Sequence, residues 1–287
     1  MTSQTPPIMT AHVDTSLMVE QQKSEKEATR VRSALAVYKF RSSSTFARKE
    51  YKRSWLQDLA YLHKLSKDAA DLGDLIRLVE RKLGMPVQSR RRKRCQSAIA
   101  AYISKQPGEL PVSALMTRFR AHVAEAVLGG YMSFNRSVHH VFDGTGCVRG
   151  NEEPTLAAND TLDTTVRTCK SNSIRCTVHS FFESNRKEFD KIDAAIIAAG
   201  DDVSGELKKT SATIKKAVKN ARDLCDSENC SSMGDALIAV DGITMAHFAA
   251  NNPKEWKTIA EALGKPLVNP VADASESPIA IVKSPAK

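Results

Sequence analysis

Three carboxylates, Asp143, Glu183 and Asp235, come from well separated parts of the chain, each at an expected strand end or helix start. If the strands are parallel, the three converge at the carboxyl edge of one sheet, where open parallel sheets hold their ligands. Like charges gathered in this way repel unless a divalent cation is bound, and all-oxygen donors suit Mg²⁺ or Mn²⁺. Asp143 anchors the set. Val138, Val141 and Phe142 form a short apolar strand before it, and Gly144 and Gly146 punctuate the turn behind it. Singly, each acid has a plainer role as a turn residue or a helix-start charge favoured by the dipole, and Glu188 rivals Glu183; the ordered trio points to a metal.

Other groups have weaker chemistry. Six cysteines occur without a C-x-x-C pair, so reduced thiols are the default. Cys169, Cys176, His179, Cys225 and Cys230 could gather round zinc, but their spacings make that a weak signal. His139 and His140 are adjacent on a strand and point to opposite faces, so they do not act as a ligand pair. The run Arg90, Arg91, Arg92, Lys93 and Arg94 wraps all round a helix, which is either a solvated face or a binding surface for nucleic-acid phosphates.

The elements that would position these groups follow from periodicity. The chain of 287 residues is 41% hydrophobic and 26% charged, which suggests about two domains with a real core. No run approaches the ~18 apolar residues of a membrane span, and no secretory leader is visible, so a cytoplasmic protein that avoids membranes is expected. Residues 1–24 read as a disordered tail. Residues 25–130 read as an all-α basic domain with a long helix from Ser54, through a capping box, to Leu83, and a Ser/Arg-rich break at 41–46. Residues 131–270 alternate strands (138–142, 174–178, 245–250 and 267–268) with helices, including one over 156–170, and predict an α/β domain with a parallel sheet and flanking helices. Residues 271–287 read as a second disordered tail. Residues 1–130 hold 23 Lys+Arg against 12 Asp+Glu, whereas 131–287 hold 19 against 21, so the basic half is expected to bind polyanions.

Gly234-Asp235-Ala236-Leu237-Ile238-Ala239-Val240, followed by 245–250 and by Asn251 to Ile259, resembles the C-terminal signature of PIN-domain nucleases: an Asp-Ala-x-Ile-Ala helix, a strand, a Thr-x-Asn or Thr-x-Asp turn and an acidic-aromatic pair. Asp143-Gly144-Thr145 resembles the first Asp-x-Asn/Ser motif, and 178–183 the apolar run ending in Glu; the resemblance spans about 136–270. Gly144 replaces a small polar residue and Ala250 a threonine. The resemblance implies a PIN-like fold and a metal-dependent endoribonuclease in which Asp143, Glu183 and Asp235 bind Mg²⁺ or Mn²⁺ and Asn252 supports the metal or its water. RNA is then favoured over DNA, and a protein inhibitor or a second copy of the chain is a compatible partner. The rival expectations are a catalytically weak PIN-like module that binds nucleic acid or protein, and a helical interaction protein.

Overall fold

The strand at the centre of the sheet lies where the sequence pattern suggests a disordered tail. In the computed structural model, which describes residues 9–105, 111–164 and 176–269, Thr10–Val13 forms β1, and Ala11, His12 and Val13 are fully buried. Four residues are too few for a period, and polar neighbours hide them; burial between two other strands decides the matter. Asp14 ends the strand and caps α1 (Thr15–Glu20), accepting the Ser16 amide at 2.9 Å. α2 (Glu25–Leu35) leads to β2 (Phe40–Ser44), in the stretch read as a break. Ser42, Ser43 and Ser44 are poor strand formers, but buried hydroxyls find partners here: Ser42 Oγ with His12 Nδ1 (2.9 Å) and Ser43 Oγ donating to Val13 O (2.8 Å).

α3 (Thr45–Tyr51) continues through a π-helical turn into α4 (Gln57–Lys67). The long helix expected from Ser54 to Leu83 is broken at 68–71, where Asp71 caps α5 (Leu72–Leu83) by accepting from Asp74 N at 2.7 Å. Ser54 is no cap; its hydroxyl turns back to Tyr51 O. α6 (Ser89–Ile103) and α7 (Val112–Ser137) follow. α7 runs through Gly129 and Gly130 instead of ending there, and the glycine at 130 answers to packing, since a Cβ there would meet Leu56 Cδ2 at 2.8 Å. After β3 (His140–Phe142) and α8 (Val148–Asn151), a two-stranded hairpin, β4 (Thr155–Leu156) and β5 (Leu162–Asp163), replaces the expected helix over 156–170, of which 165–170 lie outside the described residues. Asp160, at positive φ, makes its tight turn. The strand expected at 174–178 lies partly outside the described residues as well, and Val178 itself opens α9 (Val178–Ser184).

α10 (Arg186–Ala198), α11 (Gly205–Lys219), α12 (Ser227–Ser232) and α13 (Gly234–Asp241) precede β6 (His247–Ala249), α14 (Pro253–Ala262) and β7 (Leu267–Val268). The five-stranded sheet has the order β3-β2-β1-β6-β7, and every pairing is parallel. Helices must therefore cross over between strands, and side chains just past β1, β2 and β3 emerge along one edge.

The chain divides into two compact units. The first has the bounds 1–50, 135–151 and 167–287 and contains the sheet; the second has the bounds 51–134 and 152–166 and contains α4 to most of α7 with the β4–β5 hairpin. The all-α reading of 25–130 is thus corrected, since β2 belongs to the sheet. The charge split follows sequence halves rather than these units, which carry 27 Lys+Arg against 22 Asp+Glu and 15 against 11. The first unit's core holds Phe46, Phe182, Phe189 and Trp256, with Phe248 edge-on to Trp256 at 5.6 Å. No helix among the described residues is long and apolar enough to cross a membrane.

Candidate functional site: a carboxylate pocket past the central strand

α13 is apolar nearly all round, and Gly234 and Ala236 to Val240 are buried. Its two acids stand at its ends, Asp235 in the first turn and Asp241 as the last residue. Asp235 meets a group of carboxylates. Burial, and then the charges of Asp14, Glu50, Glu255 and Glu206, push its carboxyl well above the usual range. These acids come from the end of β1, from α3 and from the first turns of α14 and α11. A Cβ on Gly234 would strike the Glu50 carboxylate, so glycine before Asp235 is what lets these two acids lie close.

Asp14 is 3% exposed, and burial raises its carboxyl too, against the hydrogen bonds from Ser16 and Thr15. One oxygen takes the Ser16 amide; Oδ1 is buried and without a partner among the described residues, as is Glu255 Oε2. Buried oxygens without donors, crowded by other acids, are groups whose charge a hard cation would satisfy. As they stand, no three His, Cys, Asp or Glu side chains among the described residues form a closed metal cage.

Of the residues singled out in the sequence, only Asp235 belongs to this pocket. Asp143 ends β3, two strands from β1, and both its oxygens are taken, by Thr45 Oγ1 (2.8 Å) and Asn151 Nδ2 (3.0 Å). Glu183 is exposed on α9, and Glu188 lies in the first turn of α10. Neither Asp143 nor Glu183 is among the charges that raise Asp235. The assignment of those two to a shared metal is corrected for one reason: the acid after the central strand is Asp14, whose strand was read as a tail. Asp14-Thr15-Ser16 carries the Asp-x-Ser pattern that should have found it. Asn252 is exposed at the start of α14 without a side-chain capping bond, whereas Asn251 is tied by its amide to Ser16 Oγ (2.9 Å) and by Nδ2 to Glu20 (3.0 Å).

No protein-family model, curated protein or solved structure matches the chain. The site is therefore read from its own chemistry.

The other candidate groups resolve as structure. Within the basic run, Arg91 Nε and Arg94 Nη1 both reach the buried Asp58 carboxylate, at 2.7 and 2.8 Å, and Arg92 approaches Glu80 at 3.6 Å. Neighbours thus take up part of a charge that looked too dense to neutralise, while Arg90 and Lys93 are exposed. His139 accepts the Arg41 amide and stacks on Phe40, and His140 packs against Phe142. Of the zinc set, Cys225 Sγ lies 3.6 Å from His179 Nδ1, and Cys169 is outside the described residues.

Proposed function

We propose that the chain is a PIN-type, divalent-metal-dependent nuclease that hydrolyses phosphodiester bonds in RNA. The observation that carries this reading is the convergence of Asp14, Glu50, Asp235 and Glu255, with unpartnered buried oxygens on Asp14 and Glu255, beyond the central strand of a parallel sheet. The family resemblance supports it in a shifted register: Asp14-Thr15-Ser16 has the form of the first motif, Asp235 opens the Asp-Ala-x-Ile-Ala helix, and Glu255-Trp256 is the acidic-aromatic pair.

Asp14, Glu50, Asp235 and Glu255 would hold Mg²⁺ or Mn²⁺. A bound ion of this kind supplies an activated water and neutralises charge on the phosphate oxygens. The chain's own groups prepare the pocket. The Ser16 amide holds one Asp14 oxygen and so fixes the direction of the other. The amino end of α13 favours the ionised form of Asp235, while the crowd of acids opposes it. With a cation held among them that balance would reverse, and Asp235 would be ionised as a ligand.

The test is incubation of the full chain with RNA and with DNA, in Mn²⁺, Mg²⁺ or chelator. RNA cleavage in metal, lost on chelation and in Asp14→Asn and Asp235→Asn, is the expected result. No cleavage of either polymer in any metal, or full activity in those variants, overturns it.

A further inference from the structure

A small cavity in the first unit is lined by three thiols (Cys147, Cys176 and Cys230), two buried cations (Lys49 and Arg149) and two valines, with no carboxylate among the described residues. Lys49 is 1% exposed. Its ammonium meets no carboxylate among the described residues; it lies 3.9 Å from Cys230 Sγ and 3.7 Å from the centre of the Phe46 ring. A buried ammonium is costly without an anion beside it, and the Cys230 thiol, 3.9 Å away, is a group able to become one. The two cations disfavour a metal ion here. The same charges favour a thiolate, which is the form that attacks oxidants.

We infer that Cys230 is a peroxide-reactive thiol, activated by Lys49, with Cys147 of the same cavity as its resolving partner. The cavity is small, which admits hydrogen peroxide and excludes bulky electrophiles. Cys147 also feels the Lys49 charge, but burial pushes its thiol up, so it is not the first to react. The Cys230 thiolate attacks one peroxide oxygen; the O–O bond breaks, the sulfur is oxidised to sulfenic acid, and the departing hydroxide takes a proton to become water. The Cys147 sulfur then attacks the Cys230 sulfur, an S–S bond forms, and the hydroxyl leaves with the Cys147 proton as a second water. One peroxide is reduced to two waters for each disulfide made. This chemistry does not depend on the nuclease reading, although Lys49 precedes Glu50 and Cys230 lies shortly before Asp235 in the chain.

The experiment doses the reduced full chain with hydrogen peroxide, removes the peroxide, unfolds the chain, blocks remaining thiols by alkylation and maps each cysteine by mass spectrometry. Cys230 should be lost at least roughly ten times faster than Cys95, a thiol that burial pushes up to about 12, and should appear linked to Cys147. Lys49→Met should slow the loss of Cys230 roughly tenfold, and Lys49→Arg, which keeps the charge, should restore most of it. In Cys147→Ser a sulfenic acid should persist at Cys230 and be captured by a dimedone-type probe when the treated chain is unfolded in its presence; this variant decides the matter if Lys49→Met does not fold. Loss of Cys230 no faster than Cys95, an unchanged rate in folded Lys49→Met, or no trapped sulfenic acid overturns the inference. A link from Cys230 to Cys176 overturns the choice of Cys147.

Discussion

The two ends of α13 carry the same residue in opposite circumstances. At its amino end Asp235 sits among Asp14, Glu50 and Glu255, and two of the neighbouring acids have buried oxygens with no donor. At its carboxyl end Asp241 accepts the Gly144 amide at 3.1 Å with one oxygen, keeps Oδ2 buried without a partner among the described residues, and faces a single acid, Asp143, whose own oxygens are bonded to Thr45 and Asn151. The helix dipole favours a carboxylate at the first position and disfavours one at the second. Four acids crowd Asp235 and only one faces Asp241, so the first end is where a cation is proposed and the second is assigned to the fold. The difference teaches that an acid at a helix or strand end is diagnosed by the charges gathered round it.

The largest effect that would break this comparison is on activity. Asp14→Asn and Asp235→Asn should each lower metal-dependent RNA cleavage by at least about a hundredfold, as expected for loss of a ligand to a catalytic ion. Asp143→Asn and Glu183→Gln should stay within a few-fold of the parent. Turnover numbers at saturating Mn²⁺ decide this, and a severe loss in Asp143→Asn with the fold intact would return that residue to the site.

Metal binding should distinguish the ends next. An ion bound only by the folded chain stabilises it by about 2.7 kcal/mol at a hundred times its dissociation constant, and thermal unfolding with and without Mn²⁺ reads that gain. The gain should vanish in Asp14→Asn and persist in Asp241→Asn. Without metal, Asp235→Asn should unfold at a higher temperature than the parent, because one of several repelling acids is gone. Equal gains from Mn²⁺ in the parent and in Asp14→Asn would remove the metal from the pocket.

How far the sequence carried these assignments depended on the length of the pattern. α13, β6 and α14 were legible because an apolar helix, a strand and an amphipathic helix follow one another with little interruption, and Asp235 was found with them. β1 and β2 were not, since four residues after a polar leader and the segment Phe-Arg-Ser-Ser-Ser offer no strand period; their burial and hydroxyl bonds come from neighbours distant in sequence. Missing β1 meant missing Asp14. Glu50 was hidden because α3 follows β2 directly, in the stretch taken for a break. The basic run was visible, but not the use of Arg91 and Arg94 to hold Asp58. Removing those two would damage the helical unit, so the exposed Arg90 and Lys93 are the proper probes of polyanion binding. Changing both to Ala should flatten the log–log salt dependence of RNA binding by about 1.4 if each touches a phosphate on a single strand. An unchanged slope assigns them to a solvated face.

The smallest expected effect lies at the carboxyl end of α13 and is one of stability alone. Burial first, and then the Asp143 charge, raise the Asp241 carboxyl to about 7, against the hydrogen bonds from Gly144 and Thr145. In the unfolded chain an aspartate titrates near 3.9. Between these values the folded state holds the proton more tightly, so stability falls as pH rises from about 4 to about 7 and stays low above that. Asp241→Asn keeps an oxygen for the Gly144 amide and carries no charge, and its new amide group faces Asp143. The variant should match the parent near pH 4 and be more stable by at least about 1 kcal/mol at pH 8, where the parent must ionise. Denaturant midpoints of the two proteins across this range measure the difference. If the gap does not widen with pH, Asp241 is already well supplied with donors and the contrast between the ends of α13 rests on Asp235 alone.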